Sequence, residues 1–362
     1  MSRKGRRVDL DDGVPREGPT VGAMDEAAVR AERTDLPLNQ LVSSAMLMHA
    51  VVAIVELDMV EDLADGPRPV ADLVRRTGVP EQTLTAVLRA GTVSGLLSEP
   101  VPGSFTLTAA GGHLRAGDPS GLYDLFRMCT HGAFLQAWTC LSQAVRSGRT
   151  AFEVHTGHPL FAYLEEQGDA AALFRRAMDT SVAADTLLES VDLSGTERVA
   201  DLGGGEGSML AALLRRHPRV EGVLFDLPHV VSEAGPLLRE RGVADRCAVV
   251  GGSFFDGVPT GADVYLMARV MQNWPRPEAV RILRNVRAAM GERSRLLIIG
   301  HLPQREGATP FLQAMSLYML VLYGAPLRTA EEYQELFAEA DLALHAVHRV
   351  EDGESVMDVR RA

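Results

Sequence analysis

From residue 199 the chain reads Val199-Ala200-Asp201-Leu202-Gly203-Gly204-Gly205-Glu206-Gly207, an apolar run that ends in an acid and then closely set glycines. The run predicts a strand that feeds a tight turn and a helix, because glycine takes positive φ freely and lets a ligand lie against bare main chain. Asp226 follows nineteen residues after Gly207, at the end of a second apolar run, Val223-Leu224-Phe225. A carboxylate there is placed to accept both hydroxyls of a ribose. A nicotinamide enzyme would use the same physics, but its fingerprint wants the third glycine one position later, where this chain has Ser208. Gly203-x-Gly205-x-Gly207 therefore fits an S-adenosyl-methionine turn better. A plain strand-to-helix turn would account for the glycines and not for the spacing to Asp226.

From Arg198 onward strand and helix patterns alternate in the doubly wound manner. Strands are expected near 198–202, 221–226, 246–250, 263–268, 295–299, 342–348 and 355–359, and helices near 207–216, 229–241, 277–290 and 329–340. Ligands in such sheets bind beyond the carboxyl ends of the strands, which puts Gly203, Asp226, Ser253 and Arg269 at one crevice.

The 362 residues suffice for two domains. Residues 1–35, rich in Arg, Asp, Glu, Gly and Pro without apolar period, read as a disordered leader. Residues 36–115 give helix, turn, helix and a hairpin around Pro102-Gly103, the outline of a winged helix. Residues 116–190 read as a helical connector and pocket wall, and 191–362 as the Rossmann-like domain that holds the cofactor. DNA binding, as by a winged-helix regulator that uses the cofactor crevice as a sensor, is disfavoured on charge: the net charge is −12, and the second helix of the N-terminal pair offers only Arg89 as a cation. The winged-helix-like domain is instead expected to dimerise the chain. One lysine, Lys4, leaves no plausible Schiff-base residue. Cys129, Cys140 and Cys247 form no CxxC pair, so neither a disulfide framework nor a metal site is expected. The apolar stretch 41–60 contains His49, Glu56 and Asp58 and reads as short of a membrane span, and a cytoplasmic protein is expected.

The chain resembles the S-adenosyl-methionine-dependent O-methyltransferases of small molecules, the group shared by plant caffeate-type enzymes and bacterial natural-product tailoring enzymes. The resemblance runs from about Leu38 to the C-terminus. It is carried by Val145-x-Ser147-Gly148-x-x-Ala151-Phe152, Phe174-x-x-Ala177-Met178, the glycine turn, Phe225-Asp226-Leu227-Pro228-His229-Val230, Gly252-Ser253-Phe254-Phe255, and Asn273-Trp274 before a helix. It implies a homodimer, with an acceptor pocket between the helical region and the cofactor crevice. Asp201, Gly203 and Gly205 would hold the methionine end, Asp226 the ribose, and Leu227, Ser253 and Phe254 the adenine, with Ser253 standing where the family usually has Asp. Arg269 joins these as a candidate at the crevice. Trp138, Phe161, Met178, Asn273, Tyr318 and Tyr323 are the expected acceptor pocket.

The chain departs from the resemblance at the base. Members that methylate phenols commonly have His-Asp-Trp where this chain has Gln272-Asn273-Trp274. A glutamine is no base at neutral pH, since its nitrogen is an amide and its oxygen only accepts hydrogen bonds. Two acids that orient the His in plant enzymes fall on Gly300 and Leu327. Methyl transfer can still proceed by holding an acceptor oxygen in line. Gln272 is then a positioning group, with His301 the most plausible replacement base ahead of His131, His155 and His158. The reading is transfer of a methyl group to a hydroxyl of a bulky aromatic or polyketide-like metabolite. The alternative is a relative that keeps the cofactor and catalyses hydroxylation, decarboxylation or a pericyclic step.

Overall fold

The computed structural model describes residues 37–178, 189, 191–303, 309–350 and 354–362. The expected leader, and residues 179–188 and 190 of the connector, lie outside the described residues. Two compact units divide between Gly111 and Gly112.

In the first unit a long helix, Pro37–Glu56, precedes the helices Val70–Thr77 and Glu81–Val93. Between these two, Gly78 takes φ 70° and closes the first helix before Pro80 opens the second. Strands β1 (Arg68–Pro69), β2 (Leu97–Val101) and β3 (Ser104–Leu107) form an antiparallel sheet in the order β1-β3-β2. This agrees with the winged-helix outline. The two-residue β1 is an addition that a sequence this short and Pro-bound does not signal. Leu73, Leu84, Leu88, Leu97 and Phe105 are buried, and the helix Glu81–Val93 approaches its neighbours so closely that a Cβ on Gly91 would lie 2.7 Å from Ile54. Arg89 is paired with Glu99 at 3.2 Å.

The long helix corrects the sequence reading of its apolar stretch. It begins at Pro37 and ends at Glu56, so Asp58 falls outside, and residues 38–56 are long and apolar enough to cross a membrane by length and composition. Leu38, Leu41 and Met46 are 70%, 68% and 68% exposed, so this face has no cover among the described residues.

The second unit is built on a seven-stranded sheet: β4 (Arg198–Leu202), β5 (Glu221–Asp226), β6 (Cys247–Gly251), β7 (Val264–Ala268), β8 (Arg295–His301), β9 (Leu342–Arg349) and β10 (Glu354–Arg361). Their order is β6-β5-β4-β7-β8-β10-β9, with β4 to β8 parallel and β10 antiparallel to both neighbours. Successive residues alternate between two cores, as the strand repeat demands. Ala200, Phe225, Tyr265 and Ile298 face one core, which takes in Ile282 and Phe337, while Val199, Leu224, Leu266 and Leu297 face another, which takes in Leu210 and Leu238. The strand order reverses at β4, which has β5 on one side and β7 on the other, and the crevice for a ligand opens at that point.

The expected helix 229–241 is broken into Pro228–Val231 and Ala234–Glu240. Pro236 has no N–H and would clash with the carbonyl four residues back, so the helix restarts where Pro236 falls in its first turn. Short helices from Leu122 to Ala177 and the helix Pro310–Tyr323 pack around Phe134, Phe152, Leu160 and Val321 as a further apolar cluster of this unit.

Candidate active site

Gly203, Gly205 and Gly207 take φ of 74°, 60° and 91°, the left-handed region that side chains resist, and so fold the main chain back over the end of β4. The Gly205 N–H donates to Asp226 Oδ2 at 2.9 Å and the Leu227 N–H to Asp226 Oδ1 at 2.7 Å. Both oxygens keep lone pairs, and burial raises the carboxyl's pKa against the pull of the two amides.

Asp201 lies beneath the turn, 1% exposed. A Cβ on Gly204 would stand 2.6 Å from Asp201 Oδ2, so the acid and the bare main chain share one space. Among the described residues no donor reaches either carboxylate oxygen in good hydrogen-bond geometry. Burial, then the charge of Asp226, push its pKa up to about 7, with the Leu210 amide pulling the other way. An unsatisfied buried carboxylate beside a bare cradle and a ribose-type acid fits a cationic nucleoside such as S-adenosyl-methionine.

Around the turn, the Gly252 N–H bonds to the Asp226 carbonyl at 2.9 Å and brings Ser253 and Phe254 to the crevice. Ser253 Oγ accepts from the Phe255 N–H at 3.3 Å, which leaves its proton to donate. A Cβ on Gly203 would meet Val270 at 2.8 Å and Phe254 at 3.7 Å, so the glycine turn, Phe254 and the end of β7 are contiguous. Arg269, at φ 57°, turns its guanidinium to Glu354, with Nε 2.7 Å from Oε1.

A 3-10 turn, Met271–Asn273, carries Gln272 and Asn273. Gln272 Oε1 accepts a long bond, 3.4 Å, from the His301 N–H at the end of β8. Asn273 Nδ2 donates to the Arg269 carbonyl at 3.1 Å and braces the turn. Arg328 clamps it from the other side by donating to the carbonyls of Met271 and Trp274. No sequence signal singled out Arg328; its role is visible only where the chain returns to this turn. Leu327 is buried among Leu312 and Met319.

The expected pocket residues lie along a row of rings. Phe254 stands 5.6 Å from Trp274, Trp274 is stacked on Phe161 at 5.5 Å, and Phe161 is 5.9 Å from Tyr323. Trp138 stacks on Tyr318 at 5.9 Å, and Met178 packs against the same cluster. The Tyr318 hydroxyl lies beside the Cys129 thiol without reaching hydrogen-bond geometry, and burial raises the pKa of both groups. His131 borders this cluster, with its ring 6.5 Å from Phe134, whereas His155 and His158 are exposed. Glu206, inside the glycine turn, is ion-paired at 3.1 Å with Arg175 on the helix Gly168–Ala177.

A doubly wound sheet with a bare glycine turn over two acids at its switch point is the fold of S-adenosyl-methionine-dependent methyltransferases. Residues 138–343 match the O-methyltransferase domain family, and the chain belongs to it. It is 36% identical to the phenazine O-methyltransferase PhzM of Lysobacter antibioticus over 327 residues, 89% of this chain and 95% of that one. It is 32% identical to the aclacinomycin 10-hydroxylase RdmB of Streptomyces purpurascens over 325 residues, 86% of each chain. Among solved structures it is similar to an O-methyltransferase from neocarzinostatin biosynthesis in complex with S-adenosylmethionine and 2-hydroxy-5-methyl naphthoic acid. That match has a TM-score of 0.74 and 28% identity, and covers 87% of this chain and 96% of that one.

Proposed function

We propose that the protein transfers a methyl group from S-adenosyl-methionine to a hydroxyl of a bulky aromatic or polyketide-like secondary metabolite, without a protein base on the turn after β7. The row of rings from Phe254 through Trp274 and Phe161 to Tyr323 carries this reading, because it runs from the cofactor crevice into an apolar, aromatic wall of the kind that lines sites for ring-shaped ligands. Asp201, Gly203, Gly205, Asp226, Leu227, Ser253 and Phe254 hold the cofactor. Arg269 supports the crevice through Glu354. Trp138, Phe161, Met178, Tyr318 and Tyr323 hold the acceptor, with Asn273 at its edge. An activated methyl donor needs little more than alignment, which is worth about 7 to 11 kcal/mol at best.

The relative that is a hydroxylase, together with Gln272 at the family's base position, favours one second reading: a step that keeps the cofactor and moves no methyl group. Incubation with S-adenosyl-methionine labelled in its methyl group separates the two. Label recovered in an aromatic methyl ether supports methyl transfer, and acceptor consumed while the label stays on sulfur overturns it.

The N-terminal unit, taken as residues 36–115, is proposed to pair two copies of the chain in the cytoplasm through the exposed face of the helix Pro37–Glu56. Charging that face with Leu41→Asp and Met46→Asp is expected to turn a dimer into a monomer by light scattering, because each carboxylate would be buried unpaired. Removing residues 1–35 is expected to leave the dimer intact. A double variant that stays dimeric would place the interface elsewhere.

A further inference from the structure

The surroundings of Gln272 fix which way its amide points. A main-chain N–H can only donate, so the end of the amide facing the His301 N–H must be the carbonyl oxygen. That oxygen lies only 2.8 Å from where a Cβ on residue 300 would stand, so it is Gly300 that lets the amide settle on the end of β8. The other end of the amide, Nε2, has no protein acceptor among the described residues and is not one of the fully buried orphan atoms, so it is accessible, two residues after the Val270 side chain that borders Gly203. The turn beneath it is held on both sides by Arg328 and by Asn273. Gln272 thus turns its oxygen toward the end of β8 and leaves its two N–H donors unused by the described residues.

We propose that Gln272 Nε2 donates to the reacting oxygen of the acceptor and that the acceptor is an acidic phenol bound as its phenolate. The proposal rests on the methyl-transfer reading above. Bonds to a charged acceptor are about twice as strong as those to a neutral one, so an N–H donor at the reacting oxygen favours the ionised form. The phenolic proton passes to water before or on binding. The phenolate oxygen then supplies the electron pair of the new O–CH3 bond, and the pair of the breaking C–S bond stays on sulfur. Anion and sulfonium disappear together. Tyr318 and Tyr323, held protonated by burial, cannot take the proton instead. The donor lowers the nucleophilicity of the oxygen it stabilises, so its benefit lies in populating the phenolate near neutral pH.

The test uses 2-naphthol and the more acidic 1-nitro-2-naphthol. With protein saturated by S-adenosyl-homocysteine, the absorption band of the nitronaphtholate reports ionisation of the bound probe as pH is raised. The midpoint is expected to fall by about one pH unit or more relative to free probe. That fall is expected to vanish in Gln272→Leu and in Gly300→Ala, and to reverse in Gln272→Glu. Unchanged S-adenosyl-homocysteine affinity by calorimetry shows that each variant is folded.

In turnover, Gln272→Leu is expected to lower kcat/KM for 2-naphthol near pH 7 by about tenfold, and for the already ionised nitronaphthol by less than about threefold. A bound midpoint that is unshifted, or shifted equally in Gln272→Leu, overturns the proposal. So does a kcat/KM profile that follows one enzyme group for both probes, as a His301 base would give. Failure of both naphthols to bind at millimolar concentration overturns the acceptor class. A shifted midpoint without methyl transfer leaves the donor assignment standing and removes the methyl-transfer reading.

Discussion

Replacing Asp226 with alanine is expected to weaken binding of S-adenosyl-homocysteine by about 2 to 4 kcal/mol, roughly 30- to 700-fold, because two hydrogen bonds to a charged group are lost at once. The same carboxylate accepts the amides of Gly205 and Leu227, so its removal also frees the two main-chain segments that frame the crevice. Asp226→Asn keeps the shape but must turn one N–H donor toward a main-chain N–H, and is expected to fall close to the alanine. Calorimetry on both variants, with melting curves to show that they fold, decides the matter. Alanine binding within threefold of the parent would remove Asp226 from the cofactor site.

In the ligand-free protein, Asp201→Asn is expected to raise stability at pH 8 and to do progressively less as pH falls. Burial lifts the pKa of Asp201 from an ordinary 3.8 to about 7 in the fold. Its protonated form is therefore the one the fold prefers. That contribution is complete below about pH 4, declines as pH rises toward 7, and is gone above it. At about 1.4 kcal/mol per unit the loss has an upper bound of about 4 kcal/mol, and an asparagine, never ionised, escapes it. Thermal melts of both proteins from pH 5 to pH 8 measure the difference. A gain for Asp201→Asn as large at pH 5 as at pH 8 would mean that its carboxyl is not the group being charged.

The sheet was legible because its strands are apolar runs of the right length that end in chemistry, as at Asp201 and Asp226. The glycine turn was legible because only one residue type can fold that way. What escaped was set by atoms far apart in sequence. The break before Ala234 is the exception, since it follows from a local rule, the place in a helix where Pro236 is tolerated. The clamp of Arg328 on the Met271–Trp274 turn, and the pair between Arg175 and Glu206, follow from how helices return to the crevice, which no spacing encodes. Gln272 was legible as a missing base, yet the polarity of its amide was not, because that depends on the His301 N–H and on the absence of a side chain at 300.

Gly300 also restricts how this site could acquire a base by mutation. A histidine at 272 alone finds no carboxylate on the floor of β8 to orient its ring. An aspartate at 300 alone drives its Cβ to within 2.8 Å of the Gln272 oxygen. Each change moves the Gln272 amide or removes it, so the two positions are expected to be non-additive. A histidine base would therefore have to be acquired through both positions together, and the effect of either change is expected to depend on the other.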